Sequence, residues 1–196
     1  MSRTAPSYVE QADEALMALY AHGDHQAFSV LYGRHEMAVW RYLFRAVREQ
    51  ATSDDLQQDI WFAVARQANT YRPTARFTTW LFTLAHNRLV DHWRTAKNHV
   101  SLDDDDNAEG ERVLDTLVAN SGYGPLRQLE SREQALALMA AIEELPPVQR
   151  EAFLLQAEAD LSVQDIALVT GVSFETAKSR LRYARNTLRE LIEEFT

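Results

Sequence analysis

The sequence predicts an all-α protein built from two small helical domains. Glycine and proline, the residues that most often interrupt helices, total only eleven in 196 residues. Apolar residues recur at helical spacing, and no long apolar-polar alternation or Asn-Gly hairpin signal predicts a strand. An apolar fraction of 46% is enough to bury a core, so we expect a globular chain.

Residues 98–130 differ in composition from the rest of the chain. They contain the acidic run Asp103–Asp106, three of the six glycines and a proline, which is typical of a flexible connector. We therefore expect one helical domain over residues 1–97, an acidic linker over 98–130 and a second helical domain over 131–196.

The composition excludes several classes of protein. With no cysteine, the chain has no disulfide framework, thiolate metal site or cysteine nucleophile. No apolar run approaches the roughly 18 residues of a membrane span, and acids near the N-terminus do not suit a secretory signal. We expect a cytoplasmic protein without membrane insertion.

Charge is distributed unevenly along the chain. A net charge of −9 argues against nucleic-acid binding, yet residues 66–97 carry a net +5 and residues 173–189 a net +4. Acids concentrate in residues 100–119, with a net −6, and 143–165, with a net −5. Two basic segments in an acidic chain predict two local contacts with a polyanion; the alternative is clustering on solvated helix faces.

A helix over 54–68 has an apolar stripe and an acidic face. The stripe consists of Leu56, Ile60, Ala63, Val64 and Ala68. Phe62 falls on the opposite side, with Asp55, Asp59 and Arg66. An exposed ring among carboxylates favours a docking surface for a basic partner. The alternative is a half-exposed phenylalanine covered by a neighbouring helix.

Aromatic and basic residues are interleaved over 69–94. Pro73 predicts a loop over Thr70–Arg76, followed by a helix over Phe77–Arg94. Its aligned residues are Arg76, Thr83, Asn87 and Arg94, with Trp80 alongside. Stacking is worth about 1–3 kcal/mol per base, comparable with the cost of unstacking one, so this surface can hold an opened strand. The alternative is that the rings are core, as we expect for Phe77, Leu81 and Leu84.

The second domain has the signals of successive capped helices. Capping boxes are predicted at Ser131 with Gln134 and at Ser162 with Asp165, and Pro147 suits the first turn of the helix between them. A short helix is expected to bury Ile166, Ala167 and Val169. After it, Gly171 suits a turn with positive φ, and Ser173 can cap the last helix.

The last helix has one apolar and one basic face. Its apolar stripe is Phe174, Ala177, Leu181, Ala184, Leu188 and Leu191. The outer face and its edges carry Glu175, Thr176, Lys178, Ser179, Arg180, Arg182, Tyr183, Arg185, Asn186 and Arg189. A short helix, a glycine turn and a basic, hydroxyl-rich helix are typical of a helix-turn-helix that enters the major groove. An ordinary helical hairpin with a charged face is the alternative.

Residues 145–190, with the runs Lys178-Ser179-Arg180-Leu181 and Ala184-Arg185, resemble region 4 of the sigma-70 family, especially its extracytoplasmic-function (ECF) group. The resemblance implies that the helix beginning at Ser173 recognises the minus-35 promoter element. The expected DNA-binding residues are Ser173, Thr176, Lys178, Ser179, Arg180, Arg182, Tyr183 and Arg185. Ala177 departs from the family pattern, where a larger β-branched residue is usual, and Phe174 is expected to fill the space.

Residues 54–94 resemble sigma region 2, in the order that the family requires, and Leu16–Arg48 is expected to be its first part. The resemblance implies binding to the clamp coiled coil of the largest polymerase subunit through Asp54, Asp55, Gln58, Asp59 and Phe62. It implies contacts with the non-template strand of the minus-10 element through Arg72, Arg76, Trp80, Thr83, Asn87, Arg88 and Arg94.

The implied function is that of a sigma factor, which binds core RNA polymerase and directs promoter-specific initiation. Its expected partners are core polymerase, promoter DNA and an anti-sigma protein, and no cofactor is expected. By the same resemblance, Asp103–Asp106 would face the basic RNA channel of the polymerase; a solvated spacer is the alternative.

The two alternatives to a sigma factor are an enzyme and a conventional DNA-binding regulator. For an enzyme, His86 and His92 lie near Asp91, but their i,i+6 spacing puts them about 120° apart on a helix, unlike an i,i+4 ligand pair. We therefore expect surface histidines with satisfied partners, no catalytic or metal-binding residue, and no enzyme. A conventional helix-turn-helix regulator would bind duplex DNA tightly alone, whereas an anionic sigma factor needs core polymerase.

Overall fold

The computed structural model describes residues 8–98 and 132–193, and the side chains of residues 8–95 and 137–191. In these ranges eight α-helices and two 3-10 turns form the fold, without a strand, which confirms the all-α prediction. The first four helices are α1 (Asp13–Ala21), α2 (His25–Val47), α3 (Gln50–Gln67) and α4 (Phe77–Asn98). The other four are α5 (Arg132–Glu144), α6 (Pro147–Ala159), α7 (Val163–Thr170) and α8 (Phe174–Glu193). The 3-10 turns are Tyr8–Glu10 and Ala68–Thr70.

Local capping explains where α2 begins and ends. The Asp24 carboxylate accepts hydrogen bonds from the backbone N–H groups of Gln26 and Ala27, at 3.1 and 3.3 Å. At the other end Arg48 adopts a left-handed φ of 60°, and its N–H donates to the Phe44 carbonyl. No glycine or proline marks this break, so the sequence did not predict it.

The loop before α4 is held by α1. The Glu14 carboxylate of α1 accepts a hydrogen bond from the Phe77 backbone N–H at 2.7 Å, which satisfies one of the unpaired donors at the start of α4. The predicted loop and the start of the helix at Phe77 are confirmed, although Thr70 belongs to the preceding 3-10 turn and the helix continues to Asn98.

The capping and turn residues of the second set of helices have the structural roles that the sequence predicts. Pro147 opens α6, and Ser162 with Asp165 forms a capping box at the start of α7. Gly171 ends α7 with φ 65°, and the Ser173 hydroxyl accepts from the Thr176 N–H at 3.2 Å. Of the expected linker only residue 98 is described, and the capping box of Ser131 with Gln134 lies outside the described side chains.

One continuous hydrophobic core joins the two sets of helices. Within the first set, α2 packs against α1 and α3; within the second, α8 packs against α5, α6 and α7. Between the sets, α2 packs against α6 and α4 packs against α7. The two halves therefore form one packed body.

The predicted apolar stripes are buried, except for one residue at each end of the α8 stripe. On α3, Leu56, Ile60, Ala63 and Val64 are buried, and Ala68 is buried in the 3-10 turn that follows. On α8 the stripe is buried from Ala177 to Leu188, and Leu191 is half-buried. Phe174 is 48% exposed, with its ring near the Nζ of Lys178. The prediction that Phe174 fills core space was wrong, because it belongs to the first turn of α8, ahead of the part that packs against its neighbours.

Candidate nucleic-acid and protein interfaces

The outer face of α3 carries the predicted acidic and aromatic residues. Asp54, Asp55, Gln58 and Asp59 are exposed, and Phe62 is 59% exposed. Spacing along a straight helix places these residues on adjacent turns. The expectation of an exposed ring on an acidic face is confirmed, and the alternative of a covered phenylalanine is wrong.

The carboxylates on this face differ in their partners. Asp54 accepts a hydrogen bond from the indole N–H of Trp40 on α2, at 2.7 Å. Asp55 and Asp59 form no ion pair within the described residues. Asp55 and Asp59 are like charges at i,i+4, an arrangement that weakens a helix by a few tenths of a kcal/mol.

The residues predicted for single-stranded DNA lie in the loop before α4 and on α4 itself. Arg72, Arg76, Asn87 and Arg94 are exposed, and Trp80, Thr83 and Arg88 are half-buried. Successive helical residues differ by about 100°, so Arg88 lies away from Asn87, toward the buried side of the helix. The other α4 residues share one face.

Trp80 is part of an aromatic cluster at the start of α4. Its ring centroid lies 4.9 Å from that of Tyr71 and 5.7 Å from that of Phe77. Burial, and then the nearby Glu14 carboxylate, raise the pKa of Tyr71 to about 12. Phe77 and Leu81 are fully buried, as predicted, whereas Leu84 is half-buried.

The outer face of α8 presents the residues predicted for duplex DNA. Ser173, Thr176, Lys178, Arg182, Tyr183 and Arg185 are exposed, while Ser179 and Arg180 are half-buried. The Arg182 guanidinium lies 5.0 Å from the centroid of the Tyr183 ring, which orients both side chains. Arg185 donates to the Gln156 side chain of α6 at 2.5 Å, so it is held at the edge of the face. The arrangement suits contacts with base edges in the centre and phosphates at the rim.

Polar contacts join the two sets of helices. The Arg41 Nε of α2 donates to Glu158 Oε2 of α6 at 2.6 Å, and the Arg45 Nη2 lies 3.2 Å from Glu158 Oε1. Glu151 Oε1 accepts from the Tyr42 hydroxyl at 3.0 Å and faces His86 Nδ1 at 2.6 Å. Burial, reinforced by Glu151, raises the pKa of Tyr42 well above its usual value.

The same interface reaches the basic face of α4. The Thr79 hydroxyl donates to Asp165 Oδ1 of α7 at 2.8 Å, and Arg76 Nη1 donates to the Asp160 carbonyl at 3.3 Å. Arg76, a residue predicted to contact DNA, is thus engaged by the other half of the protein.

Sequence reasoning did not identify this interface. The available signal was a pair of arginines, Arg41 and Arg45, inside the apolar run of α2, since buried charges require partners. His86 also differs from the expected surface histidine, because α6 packs over α4 at that position and brings Glu151 to it.

Residues 8–98 and 132–193 contain no group of three His, Cys, Asp or Glu side chains that could hold a metal ion. Among the same residues, no helix is both long and apolar enough to cross a bilayer.

Comparisons with known proteins agree with the order of the helices. The model for Sigma-70 region 2 matches residues 31–99, and that for Sigma-70, region 4 matches residues 135–188. RNA polymerase sigma factor CarQ of Myxococcus xanthus is 32% identical over 181 residues, 91% of this chain and 96% of its own length. ECF RNA polymerase sigma factor SigM of Mycobacterium tuberculosis is 29% identical over 183 residues, 93% of this chain and 86% of its own length.

A solved structure shows the same fold. The sigma factor RpoE in complex with the anti-sigma factor NepR from Bartonella quintana matches with a TM-score of 0.61 at 22% identity, over 85% of this chain and 96% of that chain. The helix order, the family matches and the curated relatives together show that this chain is an RNA polymerase sigma factor and belongs to the ECF group of the sigma-70 family.

Proposed function

We propose that this sigma factor binds core RNA polymerase through the acidic face of α3 and promoter DNA through α4 and α8. The observation that carries the proposal is that three exposed faces of different chemistry stand on three helices: acidic and aromatic on α3, basic on α4 and α8. In this assignment residues 1–97 form the domain for polymerase and the minus-10 element, and residues 131–196 the domain for the minus-35 element.

The minus-10 strand is assigned to the loop before α4 and to the exposed face of that helix. The exposed cations of Arg72, Arg76 and Arg94 can pair with phosphates. The half-buried Trp80 is proposed to stack on a base, and Asn87 is an exposed hydrogen-bonding group. Arg88 is the weakest member of the set, because it lies away from this face.

The minus-35 duplex is assigned to α8. Thr176, Ser179, Arg180 and Arg182 are proposed to contact base edges, and Lys178 and Arg185 to contact phosphates. Lys178 lies 3.9 Å from Glu175 in an exposed pair, which is weak enough for a phosphate to replace.

The packed body must open for both DNA faces to act at one promoter. The two elements lie about 25 base pairs apart, which is about 85 Å at roughly 3.4 Å per base pair. A single body of roughly 150 residues is only about 40 Å across. Residues 99–131 would span up to about 110 Å if extended, so the chain is long enough for the two halves to separate.

We propose that the packed form is the resting state of a cytoplasmic sigma factor, and that an anti-sigma protein can hold the factor inactive. The related fold of RpoE is seen with the anti-sigma factor NepR, which supports a partner of that class. In the packed form Thr79 is engaged by Asp165 of α7 and Arg76 by the carbonyl of Asp160, the residue that follows α6, so DNA must compete with those contacts.

Transcription with purified core polymerase tests the proposed function. Core enzyme with this chain should initiate at discrete sites on genomic fragments, and the mapped 5′ ends should share sequences near minus-10 and minus-35. Core enzyme alone should not. If the chain alone bound one duplex sequence tightly, and added no start sites with core enzyme, it would act as a conventional regulator instead.

A further inference from the structure

The last helix begins with an exposed aromatic ring that belongs to no predicted binding site. Phe174 is the first residue of α8, and 48% of its side chain is exposed. Within the described residues it belongs neither to the buried core nor to the partly buried apolar side chains that pack against the core. A ring of this size gains free energy when it leaves water, so its position favours a partner outside the chain.

The backbone around Phe174 is held by hydrogen bonds. The turn before it is closed by the Val172 N–H, which donates to the Ala167 carbonyl at 3.1 Å. The Ser173 hydroxyl accepts from the Thr176 N–H at 3.2 Å and caps the first turn of the helix. The ring therefore extends from a fixed point, and little backbone entropy is lost when it makes a contact.

Phe174 shares one edge of α8 with two residues that are proposed to contact DNA. Lys178 and Arg182 follow it at intervals of four residues, so the three side chains lie on successive turns. The Nζ of Lys178 lies 5.9 Å from the centroid of the Phe174 ring. In a helix-turn-helix, the N-terminal residues of the second helix contact base edges in the major groove. A duplex that reaches Lys178 and Arg182 therefore also reaches the Phe174 ring.

The chemistry of the ring selects one group in the major groove. Thymine alone presents a methyl group there, beside its O4 acceptor, whereas guanine, adenine and cytosine present hydrogen-bond donors and acceptors. An apolar ring that covers those polar groups takes them out of water without a replacement hydrogen bond, which costs free energy. Contact with the 5-methyl group of thymine instead removes apolar surface of both partners from water.

We propose that Phe174 is a specificity-determining residue that contacts the 5-methyl group of a thymine in the minus-35 element. This inference rests on the proposed function, in which α8 enters the major groove. It adds an apolar contact at the start of α8 to the hydrogen-bonding contacts assigned to Thr176, Ser179, Arg180 and Arg182. The minus-35 element of this sigma factor therefore contains a thymine, in one strand or the other, whose methyl group strengthens initiation.

Replacement of single thymines by deoxyuridine tests the contact, because it removes the methyl group and keeps the base pair. The promoter is one mapped by transcription with core polymerase and the full chain. Each thymine of its minus-35 element, in both strands, is replaced in turn. The rate of open-complex formation is then measured for holoenzyme with the wild-type chain, Phe174→Ala or Phe174→Leu.

Leu168→Ala is the matched control. Leu168 is another apolar side chain of the helix-turn-helix and is 62% exposed, but it lies on α7, the helix that does not enter the groove. The control thus removes a similar exposed apolar surface without touching the proposed contact. Thermal melting of each free variant checks that it folds.

One deoxyuridine should slow open-complex formation by the wild-type holoenzyme about fourfold, the effect of leaving one methyl-sized group in water. Phe174→Ala should slow initiation on the unmodified promoter and should not respond to that deoxyuridine. Phe174→Leu, which keeps an apolar side chain, should retain part of the response, and Leu168→Ala should retain all of it. A merely structural role of Phe174 would slow initiation on every template and leave the response to deoxyuridine unchanged.

An equal response to every deoxyuridine by the wild type and by Phe174→Ala would overturn the inference. The proposed function would still stand, provided that initiation at the promoter depended on this chain. If the wild-type chain gave no initiation with core enzyme, the proposed function itself would fail. If Phe174→Ala did not fold, a deoxyuridine response of Phe174→Leu equal to that of the wild type would overturn the inference instead.

Discussion

Arg41 of α2 and Glu158 of α6, 117 residues apart, form an ion pair of 2.6 Å in which neither side chain is more than 6% exposed. Arg45 lies 3.2 Å from the other carboxylate oxygen, so one buried carboxylate serves two guanidinium groups. The Nε of Arg45 is buried without a hydrogen-bond partner, and burial lowers the pKa of Arg45. This cluster links the two halves through the single side chain of Glu158.

Glu158→Gln should shift the free protein toward an open form. Removing one partner of a buried pair commonly costs about 3–5 kcal/mol, and separation of the halves lets both arginines regain water. Small-angle X-ray scattering should show a larger radius of gyration.

Glu143→Gln is the matched control for this change. Glu143 pairs with Arg48 at 3.4 Å, also across the two halves, but both side chains are about half exposed. Such a pair contributes at most about 1 kcal/mol, so the radius should stay unchanged. Equal radii for the two variants would show that the buried pair does not hold the closed form.

Thr79→Val should raise the pKa of Asp165. Burial acts to raise this pKa, but hydrogen bonds from Ser162 and Thr79 more than offset it, and the pKa lies below its usual value. The folded-state pKa is below the unfolded one, so the carboxylate stabilises the fold above pH about 4. That contribution is lost as pH falls through the folded value. Loss of the hydrogen bond from Thr79 should therefore move the pKa of Asp165 back toward its usual value.

An NMR titration of the Asp165 carboxyl group measures this change. Thr83→Val is the control, because the Thr83 hydroxyl donates within α4 to the Thr79 carbonyl, at 2.8 Å, and should leave Asp165 unchanged. An Asp165 pKa that does not respond to Thr79→Val would mean that α4 and α7 are apart in solution.

Asp59→Arg should abolish binding to core polymerase and leave the fold intact. The side chain is exposed and makes no ion pair within the described residues, so its loss removes no stabilising contact. Removing its repulsion with Asp55 should raise stability slightly. Co-elution with core enzyme and thermal melting measure the two effects. Glu10→Arg, the same charge reversal at an exposed residue of the first 3-10 turn, should co-elute normally.

Arg182→Ala should relax the preference for one base of the minus-35 element. The loss should be about 1–3 kcal/mol, the usual value of an arginine contact to a base edge. Open-complex formation by the reconstituted holoenzyme on a library of minus-35 variants measures it. Arg189 is an exposed arginine near the end of α8. Arg189→Ala should weaken binding to all minus-35 sequences by the same factor, and by less than Arg182→Ala. Uniform weakening by Arg182→Ala as well would place Arg182 on a phosphate.

Local rules determined much of this protein from its sequence. The helix caps at Ser162 and Ser173, the turn at Gly171 and the exposure of Phe62 and Arg182 all depend on residues within a few positions of one another. The spacing of apolar residues predicts which face of a helix a residue lies on, and capping residues predict where a helix begins. These rules were sufficient for the all-α class and for the chemistry of three helix faces.

Only the tertiary structure determined which residues each helix face contacts. The pairing of Arg41 with Glu158, the contact of Thr79 with Asp165 and the ring contact of Tyr32 with Trp61 join residues far apart in the chain. Periodicity places Phe174 on the buried stripe, but only packing shows that the stripe runs past the end of its neighbours there. A helix face is a local property, whereas its partner depends on how every other helix packs.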